Sequence, residues 1–254
     1  MSKLLCGKSL DQIAIERLQM FEPAALAKSP DGYYVAVSGG KDSDVAWDLV
    51  RRSGVRHTAH YHVTTCDPPE LVRHVANQRD IFFEKPEMTM WQLIRKKKLA
   101  PTRNRRFCCE ILKERGGIDR LVVTGVRWEE SSKRAKRKMF ETCYRQKNKQ
   151  FLNVIIEWRT SDVWEYIRTH DLKVCELYAE GWKRLGCVLC PMKRDIEREM
   201  TRWPRITDMW RRAIIESYRQ RDFSRFDSAE AYWRWWLARD KQIPDDKQLH
   251  FFSD

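Results

Sequence analysis

Six residues, Ser38-Gly39-Gly40-Lys41-Asp42-Ser43, constrain this chain more than any other stretch. An apolar run, Tyr33-Tyr34-Val35-Ala36-Val37, comes before them, and a helix-like run, Asp44 to Arg52, comes after. Strand, Gly-Gly turn and helix start in that order make a cradle for an anion. The glycines reach positive φ and let the backbone approach a ligand closely. The unpaired N–H groups of the first helical turn then face that ligand. Ser38 and Ser43 add hydroxyls, and Lys41 adds a point charge. The spacing departs from G-x-x-x-x-G-K-[ST], which excludes the Walker loop. A plain connecting turn has no use for both serines and the lysine.

The rest of the chain alternates strands with helices. Leu10 to Phe21 reads as an amphipathic helix ending near Pro23. Tyr33 to Val37, Val55 to Thr64, Ile81 to Phe83 and Leu121 to Thr124 read as strands. Asp42 to Arg52, Pro68 to Gln78, Met88 to Lys98 and Cys108 to Arg115 read as the helices between them. Such alternation marks an α/β fold: a parallel twisted, Rossmann-like sheet with helices on both faces. Ligands in these sheets sit at the carboxyl ends of the strands. Ser38, Thr65 to Asp67 and Gly125 to Arg127 all fall just past expected strand ends and would converge there. Beyond about residue 160 the composition changes. Ser161-Asp162 cap a helix from Val163 to His170, Glu176 to Arg184 reads as helical, and Lys193 to Lys241 is helical, charged and Trp-rich. Three segments result: an N-terminal helical segment 1–30, an α/β domain 31–195, and a helical C-terminal region 196–254. The tryptophans of that last region read as helix packing against the sheet domain in preference to a base-stacking platform.

A formal charge of +13, from 49 basic and 36 acidic residues, favours polyanionic partners (nucleic acid, nucleotides or an acidic protein) and suggests a nucleic-acid substrate. Basic residues crowd Arg95 to Arg106 and Lys133 to Lys149. No apolar run has the length of a membrane span and Met1 to Asp11 has no signal-peptide pattern, so the expectation is a soluble, cytoplasmic protein. Oligomer formation is compatible with this composition. Of eight cysteines, four form two close pairs, Cys108-Cys109 and Cys187-x-x-Cys190. In a reducing compartment such pairs suggest a metal site before a disulfide. Zinc and an iron–sulfur cluster both use thiolates. Adjacent helical residues point about 100° apart, so Cys108 and Cys109 make a poor zinc knuckle and reach two irons more readily. Cys6 and Cys175 read as buried small side chains. Cys66, next to the expected cleft, is a candidate sulfur carrier, and Cys143 lies in a basic segment that would favour its thiolate. His57, His60 and His62 read as strand-surface residues, because no third ligand accompanies the pair on one face.

The loop Ser38 to Ser43 resembles the SGGxDS loop of the PP-loop ATP pyrophosphatases, the adenine nucleotide alpha hydrolase-like superfamily. A Cys-Cys pair, a long gap and C-x-x-C downstream of it resemble the [4Fe-4S]-bearing branch of the phosphoadenosine phosphosulfate (PAPS) reductase family. That branch includes adenylyl-sulfate reductases and the ATP pyrophosphatases of DNA phosphorothioation. Thr124-Gly125-Val126-Arg127, Glu130-Ser131 and Arg134 are similar to the family's TGxRxxES motif, which lines the nucleotide cleft. Trp158 with Asp162-Val163-Trp164, the loop Thr64 to Glu70, and Gly186-Cys187-Val188-Leu189-Cys190-Pro191 match further family segments. The matches cover residues from about 30 to 195, and the tail beyond carries no motif.

The resemblance implies a PP-loop nucleotide-binding and iron–sulfur domain. ATP, or a sulfonucleotide, would be held by Ser38, Gly39, Gly40, Lys41, Asp42, Ser43, Gly125, Arg127, Glu130, Ser131 and Arg134, with Mg²⁺ assisting. Lys41, Asp42, Arg127 and Cys66 would carry the chemistry, and Cys108, Cys109, Cys187 and Cys190 would hold the cluster. The activity implied is ATP pyrophosphatase and sulfurtransferase chemistry: adenylation of an acceptor and insertion of sulfur from a donor such as a cysteine desulfurase. Sulfonucleotide reduction to sulfite is the alternative, and a non-enzymatic nucleotide- or nucleic-acid-binding component is a third. Family reductases use a cysteine near the C-terminus as nucleophile. This sequence has none after Cys190, where it ends in Phe251-Phe252-Ser253-Asp254, so the nucleotide-binding and cluster expectations are better supported than the reductase one.

Overall fold

The computed structural model describes residues 7–143, 148–220 and 226–238. Cys6, residues 144–147 of the second basic cluster, residues 239–241 of the expected helical tail, and Phe251 to Asp254 lie outside them. Six strands occur among the described residues: β1 (Tyr33–Val37), β2 (His57–His62), β3 (Ile81–Glu84), β4 (Leu121–Thr124), β5 (Phe140–Thr142) and β6 (Gln150–Asn153). The α-helices are α1 (Leu10–Lys28), α2 (Lys41–Ser53), α3 (Pro69–Ala76), α4 (Met90–Lys97), α5 (Phe107–Leu112), α6 (Thr160–Thr169), α7 (Ile196–Arg202), α8 (Pro204–Arg219) and α9 (Ala229–Ala238). The chain divides into two compact units. A sheet unit takes Met1–Val63, Asp67–Lys85 and Arg115–Gly186, and a helical unit takes Thr64–Cys66, Pro86–Glu114 and Cys187–Asp254. No helix among the described residues is long and apolar enough to cross a membrane.

The sheet order is β3-β2-β1-β4-β6-β5. Every neighbouring pair is parallel except β5 with β6. The chain moves outward from β1 through β2 to β3, then returns to place β4 on the other side of β1. That reversal opens a crevice at the carboxyl ends of β1 and β4, where doubly wound sheets take their ligands. Tyr33, Val35 and Val37 of β1, Leu121 and Val123 of β4, and Val45, Leu49 and Val50 of α2 form the core below it.

Three expectations about local structure are corrected. Helix α1 does not end near Pro23 but continues to Lys28. The proline removes one backbone bond, yet Leu18 and Ala25 are buried on either side of it and hold the helix on the core. Strands β5 and β6 were not expected. They are short and lack clean alternation, and they persist because β6 pairs with β4 and the buried Asn153 amide donates to the Lys138 carbonyl at 2.7 Å. From Glu176 to Arg184 only Glu176–Tyr178 is helical, as a single 3₁₀ turn.

In the helical unit the tryptophan stripe is packed among its own elements. Trp210 stacks on Trp236 with ring centres 4.9 Å apart and meets Trp91 of α4 edge-on at 5.3 Å. The Trp236 indole donates to the Pro101 carbonyl at 2.7 Å, and the Ala100 N–H donates to the Tyr232 hydroxyl at 3.0 Å. Trp203, Trp210, Trp233 and Trp236 are all buried. They are core residues, and among the described residues these four present no stacking platform.

Candidate active site

The cleft of the sheet unit has a volume of about 700 Å³ and lies over the loop between β1 and α2. That is within the roughly 300–1,000 Å³ of small-molecule sites. Gly39 adopts φ +71°, and a Cβ there would come within 2.7 Å of Val75 and 2.8 Å of Leu71. Gly40 is conformationally ordinary and a Cβ there would make only ordinary contacts, at 3.6 Å, so Gly39 makes the turn. The Ser38 hydroxyl donates to Ser43 Oγ at 3.0 Å, and the Ser43 hydroxyl donates to the Gly40 carbonyl at 2.8 Å. These bonds close the loop on itself before any ligand arrives.

Gly125, just past β4, faces the start of α2. A Cβ on it would stand 2.3 Å from the Asp42 carbonyl oxygen and 2.9 Å from the Ser43 nitrogen. Only glycine allows the end of β4 and the start of α2 to approach so closely. Lys41 is 7% exposed and its ammonium pairs with Asp42 at 2.8 Å. The other Asp42 oxygen accepts Arg127 Nε at 2.6 Å. Arg127 is 2% exposed and also donates to Glu129 at 3.0 Å, to the Trp158 carbonyl at 3.1 Å and to Thr160 at 3.3 Å. Asp42 is thus clamped between two cations. Arg134 pairs with Glu130 at the rim.

Of the residues expected to bind nucleotide, Ser38, Gly40, Lys41, Asp42, Ser43, Gly125, Arg127, Glu130 and Arg134 line this cleft. Gly39 and Ser131 do not, Gly39 acting beneath the surface through the turn. Cys66 belongs to the helical unit, where it is fully buried and its carbonyl accepts the Val188 N–H at 2.8 Å. Sequence reasoning missed Tyr178, Thr160 and the segment Gly181 to Leu185, which complete the cleft wall together with Trp164. The weak signal for them was a tyrosine and a Gly-Trp-Lys-Arg run just ahead of the second cysteine motif.

In the helical unit, Cys108, Cys109, Cys187 and Cys190 line one small cavity together with Thr64, Met90, Leu112 and Trp210. None of the four is disulfide-bonded. A hydrogen bond from Cys108 pulls the Cys109 thiol down to about 6, helped by Arg106, whose guanidinium lies 3.2 Å from its sulfur. Cys108, which keeps the shared proton, is pushed up, and burial pushes Cys190 up. Among the described residues no three His, Cys, Asp or Glu side chains are grouped as they would be around one metal ion. Four thiols around one cavity are a soft donor set of the kind that zinc and iron–sulfur clusters both take.

The second cysteine loop is held by the tail that had shown no motif. Glu199 of α7, 1% exposed, accepts the Leu189 N–H at 2.6 Å and pairs with Lys193. Leu189 is in the left-handed region at φ +54°. The Trp210 indole of α8 donates to the Val188 carbonyl at 3.0 Å.

The other candidates take structural places. Burial pushes the Cys175 thiol up, and Cys143 donates its N–H to the Lys149 carbonyl at 2.8 Å. His57 bonds the Val55 carbonyl, His60 bonds Glu84 and Thr58, and His62 bonds the Tyr34 hydroxyl at 2.7 Å.

A family model for the phosphoadenosine phosphosulfate reductase domain matches residues 32–193, which takes in the glycine loop, Gly125 to Arg134 and all four paired cysteines. The chain belongs to the phosphoadenosine phosphosulfate reductase domain family. An uncharacterized protein of Methanocaldococcus jannaschii is 26% identical over 82% of this chain and 51% of its own length. This family member spans about half the length of the curated relatives it matches first. An adenosine 5'-phosphosulfate reductase of Oceanobacillus iheyensis is 33% identical over 33% of this chain and 36% of its own. A phosphoadenylyl-sulfate reductase of Candida auris, solved as a phosphate complex, shares the fold with a TM-score of 0.52 at 18% identity, covering 74% of this chain and 97% of that one.

Proposed function

We propose that this protein is an ATP pyrophosphatase of the PAPS reductase family that adenylates an acceptor for sulfur insertion. The observation that carries the reading is the make-up of the cleft. Its wall holds a closed glycine loop, hydroxyls, cations and carboxylates, and among the described residues that line it there is no thiol. That suits attack on a phosphorus atom and gives no nucleophile for the sulfur of a sulfonucleotide. The β- and γ-phosphates of ATP would lie on the Ser38 to Ser43 loop, with Mg²⁺ accompanying them. An acceptor oxygen attacks the α-phosphorus, and the bond to the β-phosphate oxygen breaks as pyrophosphate leaves. Lys41 and Arg134 offset charge as it builds on the leaving group, and Arg127 holds Asp42 in place. The terminal sulfur of a donor persulfide, such as that of a cysteine desulfurase, then attacks the activated position and AMP leaves; a second thiol of the donor cleaves the S–S bond, so the sulfur stays on the acceptor and the donor is left as a disulfide. The net positive charge supports a nucleic-acid acceptor.

Cys108, Cys109, Cys187 and Cys190 would hold a [4Fe-4S] cluster. The thiolate character of Cys109 and the shared cavity support that set. When bound, the cluster would supply a soft site for positioning sulfur.

The second reading, sulfonucleotide reduction, is favoured by the adenosine 5'-phosphosulfate reductases among the relatives. One pair of assays separates the two. The anaerobically purified protein should release pyrophosphate from ATP when candidate nucleic acids are added, and Lys41→Ala should abolish most of that release. Sulfite from adenylyl sulfate, with no pyrophosphate from ATP, would overturn the first reading in favour of the second.

A further inference from the structure

The Tyr178 hydroxyl accepts the backbone N–H of Lys41 at 2.8 Å. Lys41 is the first residue of α2, so this N–H is one of those that a helix leaves unpaired and offers to an anion. The hydroxyl also faces the cleft over Gly40, 3.6 Å from where a Cβ on that residue would stand. A phenol that accepts one hydrogen bond still has its own proton to give. Two roles follow from this position. Tyr178 is either a plug that phosphate must push aside or a fixed donor that phosphate meets.

The surroundings of Tyr178 decide between them. Its neighbours Cys175 and Leu177 are buried, and its own N–H is bonded to the Cys175 carbonyl at 3.0 Å. The ring is held edge-on by Trp164, with centres 5.4 Å apart and planes at 89°. The turn fixes the Tyr178 backbone and Trp164 packs against its ring, an arrangement that favours a wall over a plug. Burial pushes the phenol well above its ordinary pKa, so it keeps its proton. The N–H it accepts polarises the O–H and strengthens it as a donor.

We propose that Tyr178 is a phosphate-binding residue whose hydroxyl accepts the Lys41 N–H and donates its own proton to a phosphate oxygen of the nucleotide. It carries the donor end of α2 one atom further into the cleft. The inference rests on the reading of Ser38 to Ser43 as a phosphate cradle.

Titration calorimetry on the full chain tests it, with ATP and adenosine as probes. Tyr178→Phe should weaken ATP binding by about tenfold or more, the effect of losing a hydrogen bond to a charged group. Adenosine affinity should not change, because adenosine has no phosphate. Unchanged or tighter ATP binding would overturn the proposal and make Tyr178 a bystander or a plug. Equal weakening of both probes would also overturn it, since that marks structural damage to the cleft. If the wild-type protein binds ATP no better than adenosine, the cradle reading itself fails and this inference fails with it.

Discussion

In the sheet unit, the parts of the cleft that tolerate no replacement are glycines. Gly39 makes the turn at positive φ, and Gly125 lets the end of β4 touch the backbone of α2. In the helical unit the cysteine cavity is shaped by large buried side chains. Glu199 holds the Leu189 N–H, and Trp210 holds the Val188 carbonyl. The first site is made by letting backbone approach backbone, and the second by filling space around an irregular loop. A backbone-made site advertises itself in sequence, because glycine next to a strand has few other uses. A side-chain-made site depends on residues dispersed along the chain, and those look like ordinary helix residues until the fold is known.

The largest test of this contrast removes a thiol. Cys108→Ser or Cys190→Ser should drop iron in anaerobically purified protein from about four per chain to near zero, as a four-ligand cluster requires. If the two sites are separately built, ATP affinity measured by calorimetry should stay within about twofold. Stoichiometric zinc without iron in the wild type would break the cluster side of the comparison.

Next in size is a single methyl group. Gly125→Ala would place a Cβ 2.3 Å from the Asp42 carbonyl, and overpacking against backbone should cost about 3 kcal/mol or more in urea unfolding. Gly40→Ala, with its nearest neighbours at 3.6 Å, should cost less than about 1 kcal/mol. Equal effects would mean that backbone approach does not shape the cleft.

A third test asks whether the sheet unit also depends on a half-buried side chain. Burial, with Arg115 nearby, holds His62 down to about 4, against an ordinary 6.5. A lowered pKa means that the unfolded chain binds the proton first. Stability from this group is therefore complete above about pH 6.5 and falls as the pH drops toward 4. A shift of that size corresponds to about 3 kcal/mol as an upper bound, reduced by solvent screening because the ring is only half-buried. His62→Gln should flatten the fall over that window in pH-dependent urea midpoints, and an unaltered slope would assign it to other groups.

The smallest expected effect sharpens the helical side. Glu199→Ala leaves the buried Leu189 N–H without its acceptor, at a cost of about 1–3 kcal/mol. Iron loading should fall in parallel, and Glu199→Gln, which keeps an acceptor oxygen, should recover most of it. Full loading of the alanine variant would show that the cysteine loop holds its shape unaided.

Much of this architecture was legible beforehand. The apolar run at β1, the turn residues after it and the helix-like run that becomes α2 are local signals, and the structure places them as expected. Gly125, Arg127, Glu130 and Arg134 were found through their motif and do line the cleft. What was misjudged depends on distant partners. Pro23 sits inside α1 because Leu18 and Ala25 are pinned by the core, and β5 and β6 exist because β4 is there to pair with.

The sequence by itself determined the strand–loop–helix unit, the positions of the thiols and the sign of the charge, because these rest on residues adjacent in the chain or on composition alone. Tertiary structure alone decided that Tyr178 caps the Lys41 N–H, that Asp42 is shared by Lys41 and Arg127, and that Glu199 and Trp210 shape the loop of Cys187 and Cys190. Each of those contacts joins side chains or backbone groups brought together by packing. A hydrogen bond depends on distance and direction in space, and separation along the chain carries no record of either.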